Sequence, residues 1–273
     1  MLVHLIDGTY ELFRHFYGAR RGSPVDLPFG AVSGVLHTVA QMLEGGATHI
    51  GVATDHVIES FRNGMWAGYK TGAGVERKLL AQFTPLEEAL VAMGVATWPM
   101  VELEADDALA SAARLAAADG RVEKVCIWTP DKDLAQCVVG DRVVQVDRKS
   151  GQIRDEQGVL AKYGVKPRYI PDFLALMGDT ADGYPGIPGW GAKTAARLVT
   201  RYGHLEEFPD EVLGENREPA LLFKRLATLR DDAALFADVE SLRWNGTTAS
   251  FAALAERMGD ARIARRVTAL EKR

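Results

Sequence analysis

Apolar runs of five to seven residues recur along the first two-thirds of this chain, separated by segments with helical spacing. LVHLI (2–6), THIGVAT (48–54), EKVCIWT (123–129) and RVVQV (142–146) read as buried strands, and VATWP (95–99) as a weaker one. Between them, a helical stretch runs from Thr9, another covers 30–46, and the Ala/Leu-rich segment 105–120 has acids in its first turn and glycine at its end. Strands alternating with helices require crossover connections. The chain is therefore expected to be α/β, with a mostly parallel sheet covered by helices on both faces. From about Pro171 the alternation stops and the pattern is helical. This predicts an α/β domain over 1–170 and a helical subdomain over 171–273.

Carboxylates collect where such a sheet binds ligands. Asp7 closes the first strand, Asp55 closes the second, and Asp131 and Asp133 follow the fourth. Open α/β sheets bind ligands outside the carboxyl ends of their strands. Glu104, Asp106 and Asp107 enter the helix after the third strand, and Asp179 and Asp182 sit in a glycine-rich turn. Taken alone, the Glu104 group reads first as a helix cap and the Asp179 pair as turn formers. Together the nine would repel unless cations intervened. An all-oxygen set suits Mg²⁺ or Mn²⁺ rather than zinc. Neither Asp131-Lys132-Asp133 nor the Asp179–Gly183 turn has the register of an EF-hand.

Charge bears on the partner. The formal net charge is −5. Without the nine carboxylates, 28 acids face 32 bases, a balance of +4 that a phosphodiester partner tolerates. Residues 62–78 carry Arg62, Lys70, Arg77 and Lys78 with Trp66, Tyr69 and four glycines. This is either a solvated connector or a mobile basic and aromatic element over a site. In GIPGWGAKTA (186–195), Ala192 breaks the Walker A register and the dinucleotide fingerprint also fails. What remains is a glycine turn opening a helix, equally a phosphate seat or a tight interhelical turn. The two cysteines, Cys126 and Cys137, read as packing residues. No run is long enough to span a membrane, and the N-terminus lacks the basic start of a signal peptide. A soluble, intracellular protein is expected.

Six ordered blocks resemble the 5′→3′ exonuclease/flap endonuclease family: LIDGTYELFR (5–14), ATDHVIESFRNGMWAGYK (53–70), ELEADDALA (102–110), TPDKDLAQ (129–136), KYGVKP (162–167) and DFLALMGDTADGYPGIPGWGAKTA (172–195). The likeness is greatest to the bacterial branch, which includes the 5′-nuclease domain of DNA polymerase I. It runs from about residue 2 to 205, and with no polymerase following it implies a stand-alone nuclease, expected to be a monomer in a bacterial cytoplasm. It implies a PIN-like nuclease domain with a C-terminal helix-three-turn-helix at about 172–203. It also implies hydrolysis of DNA near a 5′ end or 5′ flap with two or more Mg²⁺ or Mn²⁺ ions. By that resemblance Asp7, Asp55, Glu104, Asp106 and Asp107 form one metal group, and Asp131, Asp133, Asp179 and Asp182 the other. Lys70 is the cation on the scissile phosphate and, with Asp7, Asp107 and Asp131, is expected to be catalytic. Arg14, Arg62, Tyr69, Arg77 and Lys78 are expected along the DNA. Gly189, Gly191, Lys193 and Thr194 are expected to seat duplex phosphates, with K⁺ possible at that turn. The sequence departs from the family at Ala73, where an arginine is usual, at Gly183-Tyr184, which intervene before Pro-Gly, and at Trp190. The alternatives to weigh are a PIN-like ribonuclease, a non-catalytic DNA-binding relative and a Mg²⁺ phosphatase built on Asp131 and Asp133.

Overall fold

The computed structural model describes residues 1–19 and 28–272. Six strands form one sheet: β1 (Leu2–Asp7), β2 (His49–Asp55), β3 (Ala96–Met100), β4 (Lys124–Trp128), β5 (Val143–Val146) and β6 (Ile153–Arg154). Their order is β3-β2-β1-β4-β5-β6. The first five strands are parallel and β6 runs antiparallel to β5. The predicted α/β class with a mostly parallel sheet is what the chain forms.

Strand burial explains which runs were easy to read. β1 and β2 are almost continuously apolar because both faces are covered. β3 is half-exposed and contains Pro99. A residue without an amide hydrogen is tolerated there because β3 is an edge. The two-residue β6 has no sequence signature.

The helices are α1 (Gly8–Ala19), α2 (Gly30–Glu44), the single turn α3 (Arg77–Leu80), α4 (Phe83–Ala92), α5 (Ala105–Ala118), α6 (Glu156–Tyr163), α7 (Ile170–Met177), α8 (Ala192–Tyr202), the short α9 (Asp210–Leu213), α10 (Arg217–Ala227), α11 (Phe251–Arg257) and α12 (Ala261–Leu270). α1, α2 and α4 pack on one face of the sheet and α5 on the other. A second core gathers α7, α8 and α10 around Phe173, Tyr184 and Phe223. The helix–loop–helix expected at 172–203 is α7, a glycine-rich loop and α8.

One boundary needs correction. Residues 171–273 do not pack as one helical unit. Val239 and Leu242 join the α5 side of the sheet, and Phe251, Ala255, Ile263 and Val267 join the core under α2 and α4. Their apolar stripes were legible, but the surface they would cover was not. No helix among the described residues is long and apolar enough to cross a membrane.

Candidate metal centre

β1 and β2 are parallel neighbours in the sheet, with Asp7 opposite Ala53, so Asp7 and Asp55 reach the same edge two residues apart in register. Gly8 makes this possible. A Cβ there would lie 2.8 Å from side-chain carbons of Val52 and Thr54, so α1 can start this close to β2 only without one. The Tyr10 amide donates to Asp7 Oδ1 at 2.8 Å and the Thr129 hydroxyl to Oδ2 at 3.1 Å. The first amide of α5, at Ala105, donates to Asp55 Oδ1 at 2.8 Å. Asp131 follows β4, and its Oδ1 accepts from the Asp133 amide. Asp106 projects from the first turn of α5. These are amide and hydroxyl donors, not cations.

Electrostatics follow from that shortage. Burial, reinforced by the charges of Asp55 and Asp131, pushes the Asp7 carboxyl up to about 7. Burial and the neighbouring aspartates raise Asp106 and Asp133 well above the carboxylate range, and burial also raises Asp55 and Asp182. Asp133, Asp179 and Asp182 bring ligand oxygens within 4.8 Å of one another. Asp133 Oδ1 is buried and has no hydrogen-bond donor. Three close carboxylates with an orphaned oxygen, next to Asp131 and Asp106, fit hard divalent cations.

Three basic residues divide the work around this cluster. Lys70 Nζ lies 2.7 Å from Glu104 Oε2 and 3.0 Å from Asp182 Oδ1, and so bridges the two acid groups. Burial alone would pull its pKa down, but the charges of Asp182 and Glu104 outweigh it and raise it. Lys132 Nζ holds Asp179 at 2.7 Å. No local signal marks Lys132, between the two acids of the Asp-Lys-Asp triplet, or Thr129 as partners of the cluster.

Arg62 corrects an expectation. It was placed along the DNA, but it is 1% exposed. Its guanidinium grips both oxygens of Asp107, at 2.7 and 2.8 Å, and reaches Glu104 at 3.0 Å. It also donates to the carbonyls of Leu226 and Thr228. It is an internal clasp between α5 and the end of α10. Asp107 is corrected with it: the remaining capacity of its oxygens goes to the amides of Glu104 and Arg230. With four donors on two oxygens it positions its neighbours and has no free face for a metal. Glu104 shares its oxygens among Ser60, Arg62, Tyr69 and Lys70.

The 61–70 segment is docked over the cluster. Ser60 and Asn63 cap its first turn reciprocally. Trp66 Nε1 donates to the Gly183 carbonyl, and the Lys70 amide donates to the Asp182 carbonyl. Gly183 has φ +84°, and a Cβ there would lie 2.0 Å from the Gly68 carbonyl oxygen. The glycine is what lets this segment lie against the turn and delivers Lys70 to Asp182. Trp66 packs edge-on against Phe223. Tyr69, expected along the DNA, is buried with its hydroxyl on Glu104. Arg77 and Lys78 are exposed on α3. Gly189, Gly191 and Lys193 are exposed at the start of α8, whose first amides no side chain caps; Thr194 is half-buried there. Arg14 pairs with Glu11 on α1, one to two turns beyond Asp7.

Two family models cover most of the chain. Residues 2–164 match the 5′-3′ exonuclease N-terminal resolvase-like domain, and residues 165–250 the 5′-3′ exonuclease C-terminal SAM fold. A 5′-3′ exonuclease of Buchnera aphidicola is 30% identical over 251 residues, 84% of this chain and 87% of the relative. DNA polymerase I of Pseudomonas aeruginosa is 35% identical over 259 residues, 87% of this chain. The matched region spans only 28% of that polymerase. Among solved structures, T5 5′-exonuclease with bound zinc superimposes with a TM-score of 0.69 at 17% identity, covering 100% of this chain and 99% of that one. The catalytic core of Rad2 in complex with DNA substrate gives 0.64 at 12% identity, covering 98% and 91%. At such identities the last two are likenesses of fold.

Proposed function

The chain belongs to the 5′-3′ exonuclease family, and we propose that it is a structure-specific 5′ nuclease, hydrolysing DNA phosphodiesters near a 5′ end or 5′ flap. The observation that carries this is the cluster of Asp133, Asp179 and Asp182 with its buried, donorless oxygen, beside which Asp7, Asp55, Asp106 and Asp131 lie close enough for their charges to act on one another. In this reading Asp7, Asp55 and Asp106 would hold one divalent ion together with Asp131, moved from the second group because its charge acts on Asp7 and Asp106, while Glu104 leaves the first group because its oxygens are engaged; Asp133, Asp179 and Asp182 would hold the other, with Mg²⁺ or Mn²⁺ as the natural choice. Such ions would supply an acidified water and neutralise charge on the phosphate and on the leaving oxygen.

The chain's own groups do the rest. Lys70 neutralises Glu104 and Asp182 in the absence of substrate. A phosphate entering beneath the 61–70 segment competes for its ammonium and releases both carboxylates. Thr129 and the Tyr10 amide hold Asp7 in one orientation. Arg62 and Asp107 act as positioning residues that fix the start of α5. The exposed amides at Gly189 and Gly191, with Lys193 and Thr194, seat duplex phosphates, and that turn is where K⁺ would sit. Arg77 and Lys78 line the single-strand approach. The protein works in this reading as a cytosolic monomer.

The test is cleavage of a 5′-flapped duplex with Mg²⁺, with Mn²⁺ and with EDTA, using Asp7→Ala as control. Metal-dependent cuts near the flap junction, absent in the variant, are expected. A matched RNA flap cut faster would move the substrate to RNA. Binding without any cutting would leave a DNA grip and overturn the reaction.

A further inference from the structure

Away from the acidic cluster, on the outer side of α1 and α2, lies a hollow of about 550 Å³. Arg14, Arg148, Arg262 and Arg266 line it, together with His15 and His37. Two chain regions build it. α1, α2 and the end of β5 supply Arg14, His15, His37 and Arg148. α12 supplies Arg262 and Arg266, and it lies beyond residue 250, where the second family match stops. α12 is anchored through Ile263 and Val267 in the core, and through Asp260, which hydrogen-bonds Ser33 and His37.

The cations in this hollow are incompletely matched. Arg14 pairs with Glu11 and Arg266 with Glu44. Arg148 donates to Gln41 and stands 3.8 Å from the already engaged Glu11. Arg262 reaches only the His37 ring, at 3.4 Å, and among the described residues meets no carboxylate within ion-pair distance. Burial, together with Arg14 and Arg148, pushes His15 down to about 4 and keeps it neutral. A Cβ at Gly34 would lie 2.4 Å from the His15 ring, so the missing side chain makes room for that imidazole against α2. Planar guanidinium groups converging on one space are the chemistry that recognises phosphate oxygens.

We propose that this hollow is a phosphate-binding pocket completed by α12, and that it takes a phosphate of the DNA strand whose neighbouring linkage enters the acidic cluster. The second half rests on the proposed nuclease function. Asp7 closes β1 and α1 starts at the next residue, Gly8; Arg14 lies about 9 Å along that helix from its start.

The test uses Arg262→Ala and Arg148→Ala in the full chain, with Arg262→Lys as the charge-retaining control. Binding of a 5′-flapped duplex is measured in Ca²⁺ across salt, with 5′-phosphate and 5′-hydroxyl ends. Each alanine variant is expected to lower the slope of log affinity against log salt by about one. A fourfold rise in salt then costs the wild type about 3.5 times more affinity than it costs the variant. Weakening on both ends identifies a backbone phosphate; weakening confined to the 5′-phosphate end identifies a terminal one. Unchanged affinity and slope on both ends overturns the DNA assignment.

A second arm is independent of DNA. Inorganic phosphate is expected to raise the Tm of the wild type above chloride at equal ionic strength, and to raise that of Arg262→Ala less. If phosphate stabilises but DNA binding is unmoved, the pocket stands for a small phosphate and its DNA source falls. If neither responds, the pocket itself is refuted. Failure of the nuclease reading shows separately, as a wild type that does not cut flapped DNA.

Discussion

Replacing Asp7 with asparagine should stabilise the metal-free protein while abolishing cleavage. The side chain is buried, and its carboxyl is pushed from 3.8 to about 7 by burial and by Asp55 and Asp131. Holding it ionised above that range costs the native state about 4 kcal/mol. The sign follows from linkage: the native state binds this proton more tightly than the unfolded chain. The contribution to stability is therefore full below pH ~4, falls as pH rises toward 7, and is flat beyond. Asparagine does not titrate, keeps an oxygen for the Tyr10 amide, and presents its amide to Thr129. About 1.7 kcal/mol of the cost is already present at pH 5, so the variant should gain a further 2–3 kcal/mol on the wild type between pH 5 and pH 8. For a chain of this length that is roughly 5 °C in Tm. The assay is calorimetry in EDTA at both pH values, repeated with Mg²⁺, which should stabilise the wild type more and narrow the difference. A difference that is constant or shrinks from pH 5 to pH 8 in EDTA would refute the reasoning, because Asp7 would then carry no burial penalty for a cation to relieve.

Arg62→Ala should cost about 3–5 kcal/mol of stability in urea unfolding, because it leaves Asp107 buried without its cation and Glu104 with Lys70 alone; Arg62→Lys should recover little, lacking the two-pronged grip. Lys70→Ala should lower single-turnover cleavage about 10²–10³-fold, by analogy with the loss of one charge-stabilising group. It should also tighten apparent Mg²⁺ affinity, since no ammonium then competes for Glu104 and Asp182. Gly183→Ala should undock the 61–70 segment, seen as faster limited proteolysis there and a destabilisation of about 1–3 kcal/mol, because both its φ and the Gly68 carbonyl oppose a side chain.

The acids and the strands that carry them were legible because both leave local signals. A strand buried on both faces must be apolar throughout, and a carboxylate at its end interrupts the run. The glycine turn at 186–191 was legible as a turn for the same reason, and α8 starts just after it. The departure at Gly183 was visible as a residue but not as a cause. Its role depends on Gly68, more than a hundred positions away.

Arg62 lies inside rather than along the DNA for a physical reason. An arginine in a loop of glycines and aromatics has the same sequence whether it faces solvent or an internal carboxylate. Arg62 is buried because Asp107 and Glu104, more than forty residues on, converge with two carbonyls from the end of α10. Trp66 and Tyr69 read as stacking aromatics for the same reason, and tertiary packing spends them on Phe223 and Glu104.

The sequence by itself determined the α/β alternation, the edge of the sheet at which carboxylates gather and the oxygen character of any ligand set, because period and residue chemistry are local properties. Only the tertiary structure decided which carboxylates remain open, which cations lie inside, and where the last two helices pack. Those outcomes depend on contacts between segments far apart in the chain, where burial and charge pairing are settled jointly and no single segment records the result.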